Sequence, residues 1–127
     1  MAAGMALALI IVTGLVHLID ASDAFTEASY KGLLFVANGV GAAVAAYGIW
    51  KHTRWGWAVG LLIALGSLLG YVASRTVGMP QIPAEPDAWL EPMGLVSMTA
   101  EVVFLAIGIW ILSLEFRPDA PTYAKSA

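Results

Sequence analysis

Glu101 is the one ionisable carboxyl placed in the middle of a long apolar run, Pro92 to Leu114. Taking a carboxylate out of water is expensive, so such a residue must face the protein interior and find a partner, or carry its proton. Those are the requirements of a group that transfers protons or binds a cation. His17 follows sixteen uncharged residues and precedes Asp20 by three, which places both on one face of a helix. A carboxylate there can orient or charge the imidazole for a ligand. Asn38 falls about two turns into the second apolar run, and Tyr71 and Arg75 stand at the end of the third. Together His17, Asp20, Asn38, Tyr71, Arg75 and Glu101 are expected to form one polar cluster that binds a small ligand or passes a proton. Ordinary hydrogen bonding across helices, which fixes register and nothing more, explains the same residues and stays open. His52, flanked by Lys51 and by Thr53-Arg54, is read as solvated.

Several sharper chemistries fail on the residues. The two histidines fall at opposite faces of a membrane and cannot clamp one haem. His17, Asp20 and Glu101 are the candidate metal ligands, but they number three at most, where a structural zinc site takes four. Met79, Met93 and Met98 would suit Cu(I), yet no Met-x-x-Met or Met-x-x-x-Met pair is present. The absence of cysteine removes thiolate sites, iron–sulfur clusters and disulfides. No phosphate-binding glycine loop, nucleophile elbow or zinc-protease motif occurs. The six Lys and Arg residues are nowhere adjacent and the net charge is −3, which argues against a nucleic-acid partner. No cofactor is identified, and no nucleophile or redox centre for an enzyme is found.

The elements that must position these groups are read from the hydropathy pattern. Of 127 residues, 60% are apolar and 12% charged. A soluble domain averages about 25% charged, so the bilayer is the expected solvent and partner. A spanning helix needs roughly 20 apolar residues. Met1–Ile19, Gly32–Trp50 and Trp55–Ser74 carry no charge, and Pro92–Leu114 carries only Glu101. The fold class follows: all-α, a single four-helix transmembrane domain over 1–117, with helices near 2–20, 31–50, 55–75 and 92–115, and a short tail over 118–127. A barrel would alternate apolar and polar residues, and these runs do not. The first run has no basic n-region and only a poor cleavage site at Ala21-Ser22-Asp23-Ala24, so it is read as a retained helix.

Trp50, Trp55, Trp57, Trp89 and Trp110, with Tyr30 and Tyr71, fall near the predicted ends, where amphipathic rings favour the interface. The short connection Lys51-His52-Thr53-Arg54 is basic and is assigned to the cytoplasm. Both termini then lie inside, and the tail adds Arg117 and Lys125 to that side. Residues 20–31 are expected to form a short polar bridge outside. Residues 75–91 form a longer one, stiffened by Pro80, Pro83 and Pro86, with Ile82 and Trp89 able to lie on the membrane surface. Gly56-x-x-x-Gly60 and Gly66-x-x-x-Gly70 are expected to pack the third helix against the small residues of the second, Gly39, Gly41, Ala42, Ala45 and Ala46.

Two stretches carry a resemblance. One is His17-Leu18-Ile19-Asp20-Ala21-Ser22-Asp23-Ala24-Phe25, running on through Glu27-Ala28-Ser29-Tyr30-Lys31-Gly32-Leu33-Leu34-Phe35. The other is Ser74-Arg75-Thr76-Val77-Gly78-Met79-Pro80 with Glu91-Pro92-Met93-Gly94-Leu95-Val96-Ser97. They resemble small four-span bacterial integral membrane proteins of uncharacterised activity. The resemblance implies a four-helix membrane fold and a bacterial inner membrane, and it carries no activity. Length and span count are also similar to the small multidrug exporters, but those keep their membrane carboxylate in the first helix, and this chain has it in the fourth. The expected function is a non-enzymatic accessory or partner-binding subunit, in a homo-oligomer or a larger membrane complex, with an outward-facing polar cavity for a small ligand or metal ion. The alternative is an oligomeric proton- or cation-coupled transporter using Glu101.

Overall fold

A computed structural model describes residues 1–115, so the expected tail over 118–127 lies outside the described residues. The chain forms helices α1 (Ala2–Glu27), α2 (Ser29–Trp50), α3 (Arg54–Thr76) and α4 (Pro92–Glu115), with one 3-10 turn, Pro86–Leu90, ahead of α4. All four helices are long and apolar enough to cross a membrane, and the chain is a multi-pass, all-α membrane protein. Consecutive helices run antiparallel, and α1 also packs against α4, closing a ring in which each helix has two principal neighbours.

The helix ends have visible causes. Thr53 caps α3: its hydroxyl accepts from the Gly56 N–H at 3.2 Å and donates to the Gly48 carbonyl at 2.9 Å, tying the turn to both helices. Pro92 opens α4, where a missing N–H costs nothing. Past α3 the chain reverses at Gly78, whose φ of +80° suits glycine. Met79 and Ile82 exchange two backbone hydrogen bonds of 2.9 Å across Pro80-Gln81.

One boundary differs from the sequence expectation. Residues 20–31 are not a bridge: α1 runs on to Glu27, and the only non-helical residue before α2 is Ala28, extended at φ −160°, ψ 139°. Hydropathy marks where the lipid-facing stretch stops, but the backbone hydrogen bonds of a helix continue into the interface. Ala21, Ala24 and the intervening polar residues contain no glycine or proline to stop it. At 1.5 Å per residue α1 is about 39 Å long, against about 30 Å of hydrocarbon, so its last turns stand in the headgroup region. The turn to α2 is tight because the Phe25 ring lies where a side chain on residue 32 would be, and residue 32 is glycine.

Packing is uneven along the bundle. The dry core consists of Ala6 and Ile10 from α1, Ala42, Ala45 and Ile49 from α2, Trp57 and Ala64 from α3, and Phe104 and Ile111 from α4. All of these lie in the half that holds the N-terminus and the 51–53 turn. Trp57, expected at the interface, is instead 2% exposed and stacked on Phe104 with ring centroids 6.1 Å apart. Its position one turn inside α3 allows either placement, and the Phe104 ring decides. Trp50, Trp55 and Trp110 are exposed, as interface and lipid-facing rings would be. The other half of the bundle buries polar residues: Asn38, Ser74, Ser97 and Glu101, with Thr13 at the boundary.

The two glycine pairs of α3 part company. Gly56 sits so close to Gly48 of α2 that a Cβ on it would fall 2.3 Å from the Gly48 carbonyl carbon. Gly60 meets Phe104 and Ala45. Gly66 and Gly70 meet nothing within 4 Å. The expectation that the whole stripe packs on α2 therefore holds for the first pair alone: α2 and α3 are in contact from their shared turn to the Asn38–Ser67 hydrogen bond, and Gly66 and Gly70 line the cavity.

Candidate functional site

The hollow half of the bundle contains a cavity of about 770 Å³, walled by all four helices and covered at its mouth by Met79, Glu85, Ala88 and Glu91 of the long connection. The six residues singled out in the sequence, His17, Asp20, Asn38, Tyr71, Arg75 and Glu101, all line it. They come together because antiparallel helices put the end of α1, the start of α2, the end of α3 and the start of α4 at one level.

Glu101 sits on the cavity floor and is 1% exposed. The Ser97 hydroxyl, one turn earlier on α4, donates to its Oε1 at 2.6 Å. Asn38 crosses from α2 to α3, its Nδ2 donating to the Ser67 hydroxyl, which in turn donates to the Ile63 carbonyl at 2.8 Å. That chain uses the amide's donor and leaves its acceptor: Asn38 Oδ1 is buried and has no hydrogen-bond partner among the described residues. Buried acceptors of this kind are costly to leave unpaired.

His17 is held differently from expectation. Its Nδ1 donates to the Thr13 carbonyl at 2.9 Å and its ring packs 4.8 Å from that of Phe35. Asp20 makes no hydrogen bond to it; the backbone one turn back does the orienting, leaving Nε2 as the ring's remaining polar atom. The metal reading fares worse. Among the described residues no group of three or more His, Asp or Glu side chains is close enough to hold a metal ion. His17, Asp20 and Glu101 all line the cavity but form no such group.

Arg75 and Tyr71 turn inward and bond to the long connection, although Arg75 Nε, like Asn38 Oδ1, is buried without a partner among the described residues. The Tyr71 hydroxyl donates to the Trp89 carbonyl at 2.8 Å, and the Arg75 guanidinium lies 4.1 Å above the Tyr71 ring. Arg75 Nη1 donates to the Ser74 hydroxyl at 2.7 Å, and Nη2 pairs with the Glu91 carboxylate at 3.0 Å. Tyr30 donates to the Pro80 carbonyl at 2.5 Å from the opposite side. These bonds pull the long connection onto the bundle as a cover. Ile82 and Trp89 were expected to lie on the membrane surface. Trp89 instead packs edge-on against Tyr71 with centroids 5.8 Å apart.

Charge around the cavity is lopsided. Asp20, Asp23, Glu27, Glu85, Glu91 and Glu101 face only Lys31 and Arg75. Lys31 pairs with Glu27 at 2.5 Å and Arg75 with Glu91. Asp20, Asp23, Glu85 and Glu101 remain outside these pairs. Asp23, Glu27 and Lys31 were missed as site residues because they were placed in a bridge; their spacing along a continued α1 was the available signal. Ser67, which accepts from the Asn38 amide, was not among the expected site residues. His52 is exposed at a left-handed turn position, φ 55°, remote from the cavity. Compared with known protein families, curated proteins and solved structures, the chain shows no match, so the site is read from its geometry.

Proposed function

We propose that this protein is a small membrane-embedded binding subunit, not an enzyme, whose cavity receives a small organic ammonium ion on the outer side of a bacterial inner membrane. The observation that carries this is Asn38 Oδ1, a buried acceptor without a donor among the described residues, in a cavity where the carboxyls of Asp20, Asp23, Glu85 and Glu101 stand outside the two ion pairs. An ammonium group supplies the N–H donor that Asn38 lacks and the positive charge that Asp20 and Glu101 favour. The volume lies within the few hundred to about 1,000 Å³ usual for small-molecule sites. The outward orientation rests on the basic 51–54 connection.

The test is titration of the detergent-purified protein with ethylammonium, tetramethylammonium and acetate, read by calorimetry. Ethylammonium should bind, tetramethylammonium, which has no N–H, should bind at least about tenfold more weakly, a difference of about 1.4 kcal/mol, and acetate should not bind. Equal binding of the two cations, or none, defeats the reading.

A second reading, proton- or cation-coupled transport, is favoured by one observation: Glu101 is the deepest ionisable lining residue. It requires a path through the dry core around Phe104 and Trp57. Uptake of labelled ethylammonium into proteoliposomes that is abolished by Glu101→Gln, with binding retained, would select it over simple binding.

A further inference from the structure

The cavity wall between α2 and α3 differs from the other seams. Along α1 and α2 the helices touch: a Cβ on Gly14 would fall 2.7 Å from Ala42, and Gly39 lies against Leu18. Between α3 and α4 the seam is closed by Gly94 against Tyr71 and by Gly60 against Phe104. Between α2 and α3 the contacts run from Gly48–Gly56 through Gly41–Ile63 to the Asn38–Ser67 hydrogen bond. Level with that bond and one turn beyond it towards the cavity mouth, Gly66 and Gly70 of α3 line the cavity, and a Cβ added at either meets none of the described atoms within 4 Å. Leu34 of α2, 55% exposed, and Leu62 of α3, 72% exposed, are lipid-facing residues that also line the cavity. Together these residues outline an apolar slot between α2 and α3 in a membrane-spanning region.

We propose that the ligand is a membrane-resident amphiphile, a primary alkylammonium, that enters through the α2–α3 slot with its tail left lying along Gly66 and Gly70. The inference rests on the ammonium-binding reading above and adds the tail and the route. Two features of different chemistry meet at one place: the slot is apolar and edged by the lipid-facing Leu34 and Leu62, and it leads to the unpartnered Asn38 Oδ1 at its inner edge and to Glu101 below. A soluble ion needs no such slot. A helix from a second copy would cover Gly66 and Gly70 but would leave the Asn38 acceptor without a donor. An alkylammonium satisfies both, its N–H groups going to Asn38 and the acidic wall, its methylenes to the slot, where each buried methylene adds to affinity.

The experiment compares ethylammonium with dodecylammonium, the latter below its micellar concentration, on wild type and on Gly66→Leu/Gly70→Leu in neutral maltoside detergent. Binding is read by calorimetry, corrected for partition into micelles, and oligomeric state by native mass spectrometry. Open space at both glycines lets leucine fit, and the unliganded melting temperature checks folding; if the double variant does not fold, Gly70→Leu alone carries the same comparison. Wild type should bind dodecylammonium at least about tenfold more tightly than ethylammonium. The filled slot should remove that advantage, read as the ratio of the two affinities in the same protein, and if filling both positions also abolishes ethylammonium binding, Gly70→Leu alone carries the comparison. If the variant keeps the advantage, or if wild type binds both amines equally, side entry is wrong while the ammonium site survives. If wild type binds neither amine, the underlying site reading fails. If filling the slot converts a dimer to a monomer without changing the tail advantage, the slot is a helix interface and the proposal is overturned.

Discussion

Asn38 and Phe104 stand for the two halves of the molecule. Asn38 donates to Ser67 and keeps an orphaned acceptor, so its amide contributes one hydrogen bond and carries one desolvation penalty of similar size. Asn38→Leu, close in volume, is therefore expected to change unfolding free energy by less than about 1 kcal/mol while weakening ethylammonium binding about tenfold or more. A large stability loss with unchanged binding would make Asn38 a register pin. Phe104 is 0% exposed between Trp57, Gly60 and the α1–α2 core. Phe104→Ala leaves a hole that rigid helices fill poorly, and an unfolding titration should show a loss of about 3–5 kcal/mol. Glu101 belongs with Asn38. Glu101→Gln keeps an oxygen for the Ser97 hydroxyl and should melt close to wild type, so any loss of cation binding in that variant reports charge and not fold.

The elements divide by how closely their backbones approach. Gly56 of α3 admits no Cβ without moving the Gly48 backbone, whereas Gly70 has free space around it. Gly56→Ala should destabilise the protein, and Gly70→Ala should be neutral or stabilising by up to about 1 kcal/mol from helix propensity. Paired melting curves decide; equal losses at both positions would mean that α3 packs along its whole length. The 77–91 connection is held by Tyr71, Arg75 and Tyr30 through side-chain bonds to carbonyls and to Glu91. Arg75→Ala removes the pair with Glu91 and the contact over Tyr71. Faster hydrogen exchange in residues 79–90, with the helices unchanged, is the expected result.

At the scale of the whole molecule, the bundle is a solid half joined to a hollow half, and the charge distribution follows the same division. The hollow half gathers the acidic residues of α1 and the long connection. The opposite end carries the 51–53 turn, where Lys51 lies 4.6 Å from the Trp50 ring, as a basic residue anchored at an interface would. With the basic end inside, a cytoplasm-dependent reporter fused after Ala127 should be active, and the same reporter inserted after Gln81 should be silent. The reverse pattern would put the cavity in the cytoplasm and its ligand with it.

The sequence by itself determined the number of helices, their class and their approximate spans, because twenty-odd residues without charge have one stable state in hydrocarbon, with every backbone group bonded internally. It also placed Glu101, His17 and Asn38 in one half of the bundle, since antiparallel spans set the end of α1 beside the starts of α2 and α4. It did not determine where α1 stops, because hydropathy reports the lipid boundary and not the end of the hydrogen-bond ladder. Nor did it separate the two glycine pairs of α3, which follow the same pattern but have opposite surroundings. What lies across from a glycine is a property of the neighbouring helix: Gly48 reaches Gly56, and nothing reaches Gly66 or Gly70. Tertiary structure alone decided that Trp57 is core and that the Asn38 amide bonds Ser67 across the α2–α3 seam. Each depends on distances of a few ångströms between helices, below what residue type and spacing along one chain can encode.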